Sequence, residues 1–259
     1  MNALPSTDEA AALLADRFED AEPLDLVALA CSSPALVVAP HPDDESLGCG
    51  GLLARLGDAG VDVRAILVTD GAASHPRSTR YDAAARRALR DREWLRALAC
   101  LGLRDGAANR LGCPDGAVPV AGDPRFAPLR ADLQVVLEAI APQLVLLPWR
   151  RDPHPDHRAS HALVRAALAE GALRPRCLEY IVWTGERATA DEWPRPGEAC
   201  TWRLDIAAAR ARKRLAIAAH RSQHGEVIDD DPTGFVVAPA MRRRAEESCE
   251  HFFEVDDWP

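Results

Sequence analysis

The sequence predicts an α/β fold, a Rossmann-like three-layer α/β/α sandwich with a mostly parallel sheet, and three observations support this class. Short apolar runs alternate with helical stretches of about ten or more residues, as in a parallel sheet covered by helices on both faces. Residues 36–39 and 144–147 are entirely apolar, which is typical of strands buried on both sides. The 259 residues are 47% hydrophobic and 27% charged, so the chain can bury the core that this fold needs.

Strands are expected where apolar and β-branched residues cluster between turn-forming residues. These strands are residues 36–39, 61–69, 144–147, 178–183 and 202–206. Helices are expected where Ala, Leu and Arg recur at helical spacing, with Gly102 ending one helix and Asp205 or a neighbour capping another. These helices are residues 10–18, 47–56, 81–101, 129–140, 155–169 and 207–222.

The net charge of −9 is concentrated at the two ends of the chain. Residues 1–30 hold seven acidic residues and one arginine, and residues 246–259 hold six acidic residues and no basic one. We therefore expect an acidic helical N-terminal extension (1–30), one main domain (31–245) and an acidic C-terminal tail (246–259). No strong basic stripe is present, so nucleic acid is not an expected partner.

Other classes of protein are disfavoured by what the sequence lacks. No run of about 18 apolar residues could span a bilayer, and the first residues do not resemble a signal peptide, so a cytoplasmic location is expected. The seven cysteines are scattered and never form Cys-x-x-Cys, which argues against a disulfide framework and a structural zinc knuckle.

Two short polar clusters carry the chemistry, and each follows an apolar strand. The first is Pro40-His41-Pro42-Asp43-Asp44-Glu45 and the second is Pro153-His154-Pro155-Asp156-His157. Open α/β sheets bind ligands at the carboxyl ends of their strands. If residues 107–113 contribute the third strand, the two clusters face each other across one crevice. Some of the irregular segments 71–80, 111–128, 185–200 and 224–239 are candidate walls of that crevice.

The residue types of these clusters suit a mononuclear metal site. His41, Asp44 and one histidine of the second cluster form a set of three ligands, the number that a catalytic zinc usually takes from the protein. Asp43 is then a spare carboxylate suited to a general base. Each cluster taken alone could equally cap a helix. The run Gly48-Cys49-Gly50-Gly51 lacks the dinucleotide-binding spacing, so close helix packing is its expected role.

The order of these motifs resembles the PIG-L/LmbE-like zinc deacetylases, which act on N-acetylglucosaminyl compounds. His41-Pro42-Asp43-Asp44-Glu45 with the glycine run resembles the first motif of that family, and His154-Pro155-Asp156-His157 resembles its second metal motif. Val68 to Gly71, Arg90 to Gly102, Leu111 to Gly116 and Lys213 to Gln223 also match in order. The resemblance covers residues 35–225.

This resemblance implies a role for each matching position. His41, Asp44 and His157 would be the metal ligands, with Zn²⁺ as the metal and Fe²⁺ as an alternative that the same ligands accept. Asp43 would be the general base, His154 would stabilise the oxyanion, and Asp156 would orient His154. Arg90 and Asp115 would bind the sugar or its substituent. The chain departs from some relatives at Asp152, where they carry a mobile tyrosine.

The expected activity is removal of an N-acetyl or other acyl group from a small amino-sugar derivative, such as an N-acetylglucosamine conjugate. Two alternatives remain open at this point. One is a Rossmann-like transferase or nucleotide-binding protein in which the His/Asp clusters are structural. The other is a family member that keeps the metal but serves as a binding module. Oligomer formation is possible and nothing in the sequence decides it.

Overall fold

The computed structural model describes residues 7–259, in which nine α-helices and eight strands alternate. The helices are α1 Thr7–Arg17, α2 Leu26–Ala30, α3 Asp44–Asp58, α4 Ala83–Leu101, α5 Phe126–Ile140, α6 Pro155–Glu170, α7 Thr184–Arg187, α8 Arg210–Ala219 and α9 Pro239–Ala245. The strands are β1 Glu22–Pro23, β2 Ala35–Ala39, β3 Val63–Thr69, β4 Ala108–Cys113, β5 Leu144–Pro148, β6 Arg176–Tyr180, β7 Cys200–Asp205 and β8 Cys249–Glu254.

The strands form one sheet in the order β1-β7-β8-β6-β5-β2-β3-β4. All pairs are parallel except those that β8 makes with β6 and β7. The sequence-based prediction of an α/β sandwich with a mostly parallel sheet is confirmed. Residues 107–113 do supply the third core strand, β4, and the first and fourth core strands, β2 and β5, are neighbours.

Both faces of the sheet are buried, and the side chains of each central strand alternate between them. In β2, Val37 packs into a core with α3, α4 and α8, whereas Leu36 and Val38 pack into a second core with α5 and α6. This alternation follows from the two-residue period of a strand. It explains why the central strands read as continuous apolar runs in the sequence.

The glycine run at the start of α3 is a packing element, as expected. A Cβ on Gly48 would collide with the ring of Tyr180, and one on Gly51 would lie 2.6 Å from Ile206. The helix is kinked at Cys49, whose φ of −143° is not helical. The Glu250 carboxylate accepts hydrogen bonds from the backbone N–H groups of Gly51 (2.6 Å) and Leu52 (2.8 Å) just beyond the kink.

Residues 246–259 do not form a tail as the charge count suggested. Residues 249–254 are strand β8, which lies between β6 and β7, and Phe252 and Phe253 are fully buried. The acidic side chains of this strand are paired inside the protein: Glu250 lies 2.6 Å from Nζ of Lys213, and Glu254 binds Arg176. The acidic residues therefore stabilise the sheet instead of solubilising a free end.

Other boundaries also differ from the prediction, among them those of α8 and β6. Helix α8 begins three residues later than expected because Asp205 accepts a hydrogen bond from Ala207 in a turn, and Ala209 precedes the helix. Strand β6 ends at Tyr180, so Trp183 lies in the loop that follows. Residues 1–6 of the expected N-terminal extension lie outside the described residues. No helix within residues 7–259 is long and apolar enough to cross a membrane.

Candidate active site

The two polar clusters meet at the carboxyl ends of β2 and β5, which are hydrogen-bonded neighbours in the sheet. The first cluster forms the turn from β2 into α3, and the second forms the turn from β5 into α6. The rings of His41 and His154 lie 4.6 Å apart between their centroids, and those of His41 and His157 lie 5.4 Å apart. The sequence therefore located the crevice correctly.

One carboxylate oxygen of Asp44 is the point on which the predicted metal ligands converge. It lies 3.1 Å from Nδ1 of His41 and 3.1 Å from Nε2 of His157. All three side chains are buried. Ligands about 2.0–2.1 Å from a tetrahedral ion lie about 3.3 Å from one another, so the two distances from Asp44 suit a shared metal ion. Ligand atoms of His41, His154 and His157, and of His41, Asp115 and Asp156, also lie within 4.8 Å of one another.

Two observations test whether these residues fit a metal. Both ring nitrogens of His157 are buried without a hydrogen bond, although carboxylate oxygens lie within 3.2 Å of each. Burial alone would lower the pKa of His157, but Asp44 and Asp152 outweigh it and raise the pKa to about 9. A metal cation between these groups would satisfy both the carboxylates and a ring nitrogen of His157, so the residues fit a metal.

The residue between the two first-cluster ligands adopts an unusual backbone conformation. Asp43 has φ of 140°, in the region that disfavours residues with a Cβ, and its side chain makes no helix-capping hydrogen bond. The guanidinium of Arg90 holds this turn: Nη2 donates to the Pro42 carbonyl (2.6 Å) and to Oδ2 of Asp43 (3.1 Å). Strained backbone held by its surroundings is a feature of functional sites.

The Asp43 carboxyl has a raised pKa. Burial raises its pKa, the Arg90 cation opposes this, and the neighbouring Asp44 adds to it, giving a pKa of about 6. A carboxylate whose pKa lies near the working pH can both accept and return a proton.

Arg90, which was expected to bind substrate, is 3% exposed. Its guanidinium already donates hydrogen bonds to the turn formed by Pro42 and Asp43. Its Nη1 also points at the Gly71 carbonyl, 3.4 Å away. These contacts hold the turn that carries Asp43, and Arg90 also lines the pocket.

His154 is held through the backbone of Asp156 and not through its carboxylate. The Asp156 N–H donates to Nδ1 of His154 (3.2 Å), so Nδ1 is the acceptor and the proton of the neutral ring is assigned to Nε2. Burial and the nearby imidazoles of His41 and His157 lower the pKa of His154 to about 4, which keeps this ring neutral.

The Asp156 carboxylate contacts His41. Its Oδ2 lies 3.1 Å from Nε2 of His41 and accepts a hydrogen bond from the Gly116 N–H (2.7 Å). Asp115 faces the same nitrogen, with Oδ1 at 3.3 Å. Asp156 therefore connects the second cluster to the 114–118 loop and to a residue of the first cluster.

Asp152, the position of the tyrosine in some relatives, is fully buried and cannot reach a substrate. Its Oδ1 lies 3.2 Å from Nδ1 of His157 and accepts from the His154 N–H (3.0 Å). Its Oδ2 accepts from the backbone N–H groups of Trp183 and Thr184, both at 3.1 Å. No tyrosine lines the pocket within the described residues.

A pocket of about 280 Å³ opens above these groups. Its polar side is formed by predicted residues and its apolar side by residues that the sequence did not single out. The apolar side comprises Leu47, Val182, Trp183, Phe235 and Met241. Segments 71–80, 111–128 and 224–239 supply wall residues of this pocket, whereas 185–200 supplies none of them, and the Glu192 carbonyl of that segment accepts a hydrogen bond from Trp149. Trp183 could have been found because it follows an apolar strand; nothing local marks Phe235 or Met241.

Comparison with known proteins places this geometry in a family. Residues 36–168 match the PIG-L family, described as GlcNAc-PI de-N-acetylase. The chain is 30% identical to a 1D-myo-inositol 2-acetamido-2-deoxy-α-D-glucopyranoside deacetylase of Gordonia bronchialis, over 73% of this chain and 83% of that protein. It is 32% identical to a 2'-N-acetylparomamine deacetylase of Streptomyces fradiae, over 60% of each.

Solved structures agree on the fold. The N,N'-diacetylchitobiose deacetylase of Pyrococcus horikoshii superposes with a TM-score of 0.61 at 23% identity, covering 86% of this chain and 82% of the other. The relatives are amidohydrolases that remove N-acetyl groups, so a transferase or nucleotide-binding protein is not favoured. On the family match and the identity to its relatives, this chain belongs to the PIG-L family of deacetylases.

Proposed function

We propose that this protein is a zinc-dependent hydrolase that removes the acetyl group from the nitrogen of an amino-sugar derivative. The observation that carries the proposal is that one carboxylate oxygen of Asp44 lies 3.1 Å from a ring nitrogen of His41 and 3.1 Å from one of His157, beside a pocket that also contains Asp43 and His154. The names of the relatives support the substrate class, since each describes an N-acetylated amino sugar.

The metal would be held by His41, Asp44 and His157. A bound Zn²⁺ supplies a Lewis acid that polarises the amide carbonyl and lowers the pKa of a coordinated water towards about 7. Fe²⁺ is the alternative, because two imidazoles and one carboxylate also suit that ion. Asp152 supports the ligand set by facing the second ring nitrogen of His157.

Asp43 acts as the general base. Its carboxylate lines the pocket and takes a proton from the water that attacks the amide carbon. When the C–N bond breaks, the protonated Asp43 gives the proton to the leaving nitrogen, so the products are acetate and the free amine. Arg90 keeps the carboxylate aimed at the pocket throughout.

His154 stabilises the developing oxyanion. Because its Nδ1 accepts from the Asp156 N–H, its Nε2–H is the group available to donate to the carbonyl oxygen as negative charge builds there. A neutral donor held in place costs no reorganisation during the reaction. Asp115, 12% exposed on the opposite side of His41, offers a carboxylate oxygen to a sugar hydroxyl.

The proposal is tested by linking metal content to amine release. The purified protein is analysed for metal by plasma mass spectrometry and then incubated with a panel of N-acetylglucosamine conjugates, with fluorescent detection of free amine. We expect about one metal ion per chain, loss of activity after chelation, and recovery on adding Zn²⁺. A protein that binds no metal and releases no amine from any conjugate would contradict the proposal.

A further inference from the structure

The pocket continues into a second compartment of about 550 Å³ that the reaction itself does not need. The two share Ala73, Ser74, Trp183, Phe235 and Met241 as lining residues, so a substrate can extend from one into the other. At about 280 Å³ the catalytic pocket is just below the usual range of about 300–1,000 Å³ for ligand pockets. It suits a single acetylated sugar ring. A larger substituent on that ring would extend into the second compartment.

Most side chains that line this compartment are apolar. Trp183 lies against the catalytic group, with its ring 6.2 Å from that of His154 and nearly parallel to it, and Phe235 follows at 5.5 Å from Trp183. Beyond them the wall continues with Pro76, Val236, Ala238 and Met241. Val236 is 47% exposed although it is a large hydrophobic residue.

The polar side chains of the lining are already paired. Glu186 forms an ion pair with Arg244, and the Thr233 hydroxyl donates to Asp231 at 2.8 Å. The Ser74 hydroxyl lies 3.2 Å from Nδ1 of His75. A second sugar or a polyol would therefore lose hydrogen bonds to water on entering and gain few from the protein, whereas an apolar group would be favoured.

The wall is built in advance of binding. Asp230 accepts from Ser78, Thr79 and Arg80, which fastens the loop of residues 229–237 to that of residues 74–81. The Phe235 N–H donates to the Ser74 carbonyl at 2.6 Å. Gly234 packs so closely on His75 that a Cβ there would collide with the ring. The aromatic wall is thus held in a fixed position.

On these grounds, and building on the proposed deacetylase activity, we infer that the substrate carries an apolar aglycone that lies on Trp183, Phe235 and Val236. Trp183, Phe235 and Val236 lie outside residues 36–168, the part of the chain that matches the family. Ala73, Ser74 and Pro76, which also line the compartment, lie within the matched residues.

The inference is tested with four substrates of the metal-loaded enzyme. They are free N-acetylglucosamine, phenyl N-acetylglucosaminide, N,N'-diacetylchitobiose and N-hexanoylglucosamine. We expect kcat/KM for the phenyl glycoside to exceed that for the free sugar and for chitobiose by about tenfold or more, because the phenyl group is removed from water. Equal values for phenyl glycoside and free sugar would overturn the inference and leave the proposed function standing.

Two further outcomes are decisive. A preference for N-hexanoylglucosamine with no gain from the phenyl group would show that the compartment holds an acyl chain, which overturns the inference. No amine release from any of the four would contradict the deacetylase proposal itself, and the inference with it.

A matched pair of variants tests whether the preference for the phenyl glycoside depends on the wall at Val236. Val236→Asp should reduce the ratio of kcat/KM for the phenyl glycoside to that for free N-acetylglucosamine about tenfold. Val135→Asp, the same substitution at a valine 66% exposed on helix α5, should leave this ratio unchanged. An equal ratio in the Val236 variant and the wild type would place the aglycone elsewhere.

Discussion

Oδ1 of Asp152 lies 3.2 Å from Nδ1 of His157, while the other ring nitrogen of that histidine faces Asp44 at 3.1 Å. The imidazole is thus held between two carboxylates, one of which is a predicted metal ligand. A carboxylate behind a ligating histidine fixes its orientation and increases its basicity. Asp152 also binds the backbone of Trp183 and Thr184, so it joins the metal site to the apolar wall.

Replacing Asp152 by Asn should weaken metal binding by about 10- to 100-fold, because His157 loses its negatively charged neighbour. The affinity is measured by competition with a chelator of known strength. Thr184→Val is the control, since it removes only the hydroxyl that donates to Asp152 at 3.1 Å. The control should bind metal as the wild type does. Unchanged affinity in Asp152→Asn would show that this carboxylate only supports the loop.

Arg90→Met should lower kcat by about 10²- to 10³-fold with little change in KM, since the general base loses the group that aims it. This result would distinguish a positioning role from the substrate-binding role that the family resemblance implied. Steady-state kinetics on an N-acetylglucosamine conjugate provides the measurement. A variant with raised KM and unaltered kcat would indicate that Arg90 binds the substrate and does not position Asp43.

Glu179 should make the protein sensitive to acid. This fully buried carboxylate accepts from the Arg150 backbone N–H (2.9 Å), and its Oε1 lies 2.9 Å from the Arg150 guanidinium and 3.1 Å from Nε2 of His161. Burial would raise its pKa, but the His161 and Arg150 partners outweigh it and hold the pKa below its usual value.

A lowered pKa in the folded state means that the stabilising effect of Glu179 is complete above the unfolded-state pKa, about 4.3. It is lost as the pH falls through the folded-state value. Glu179→Gln should therefore destabilise the protein by about 3 kcal/mol at pH 7 and by progressively less below about pH 4. Urea unfolding at several pH values measures this. Glu226→Gln, at an exposed pair with Arg221, should cost under about 1 kcal/mol. A loss of unfolding free energy in Glu179→Gln that is the same at every pH would contradict a lowered pKa of Glu179 in the folded state.

The buried pair of Glu250 and Lys213 should behave as one unit. Glu250→Gln leaves the Lys213 ammonium, which is 2% exposed, without its counter-charge, so we expect a loss of about 3–5 kcal/mol in the free energy of unfolding. Adding Lys213→Met should recover part of that loss, because no unpaired charge remains. A double variant as unstable as the sum of the two single variants would show that the residues act independently.

The catalytic motifs could be predicted because side chains that can bind a metal or transfer a proton stand close after apolar strands in the sequence. His41 and Asp44 closely follow strand β2, and His157 lies in the first turn of the helix that follows β5. Parallel strands bring their carboxyl ends to one edge of the sheet. The role of the glycine run was predicted for a similar reason, since small residues permit close packing. Local sequence was sufficient in both cases.

The residues that were missed depend on contacts between distant parts of the chain. Strand β8 was read as a tail because its acidic residues outweighed Phe252 and Phe253, and nothing nearby in sequence shows that Lys213 and Arg176 neutralise them. Phe235 reaches the pocket only because Asp230 and Asp231 bind a loop some 150 positions earlier in the chain. The backbone contact of Asp156 with His154 is likewise invisible in the sequence.

The most direct test of the account is the Asp43→Asn variant, assayed for bound metal and for amine release together. Asparagine has the same shape, can still accept from Arg90, and tolerates positive φ better than most residues. We predict wild-type metal content and a loss of kcat of about 10²- to 10⁴-fold, because the amide cannot take the proton of the attacking water. Full metal content with turnover equal to that of the wild type would contradict the assignment of Asp43 as general base.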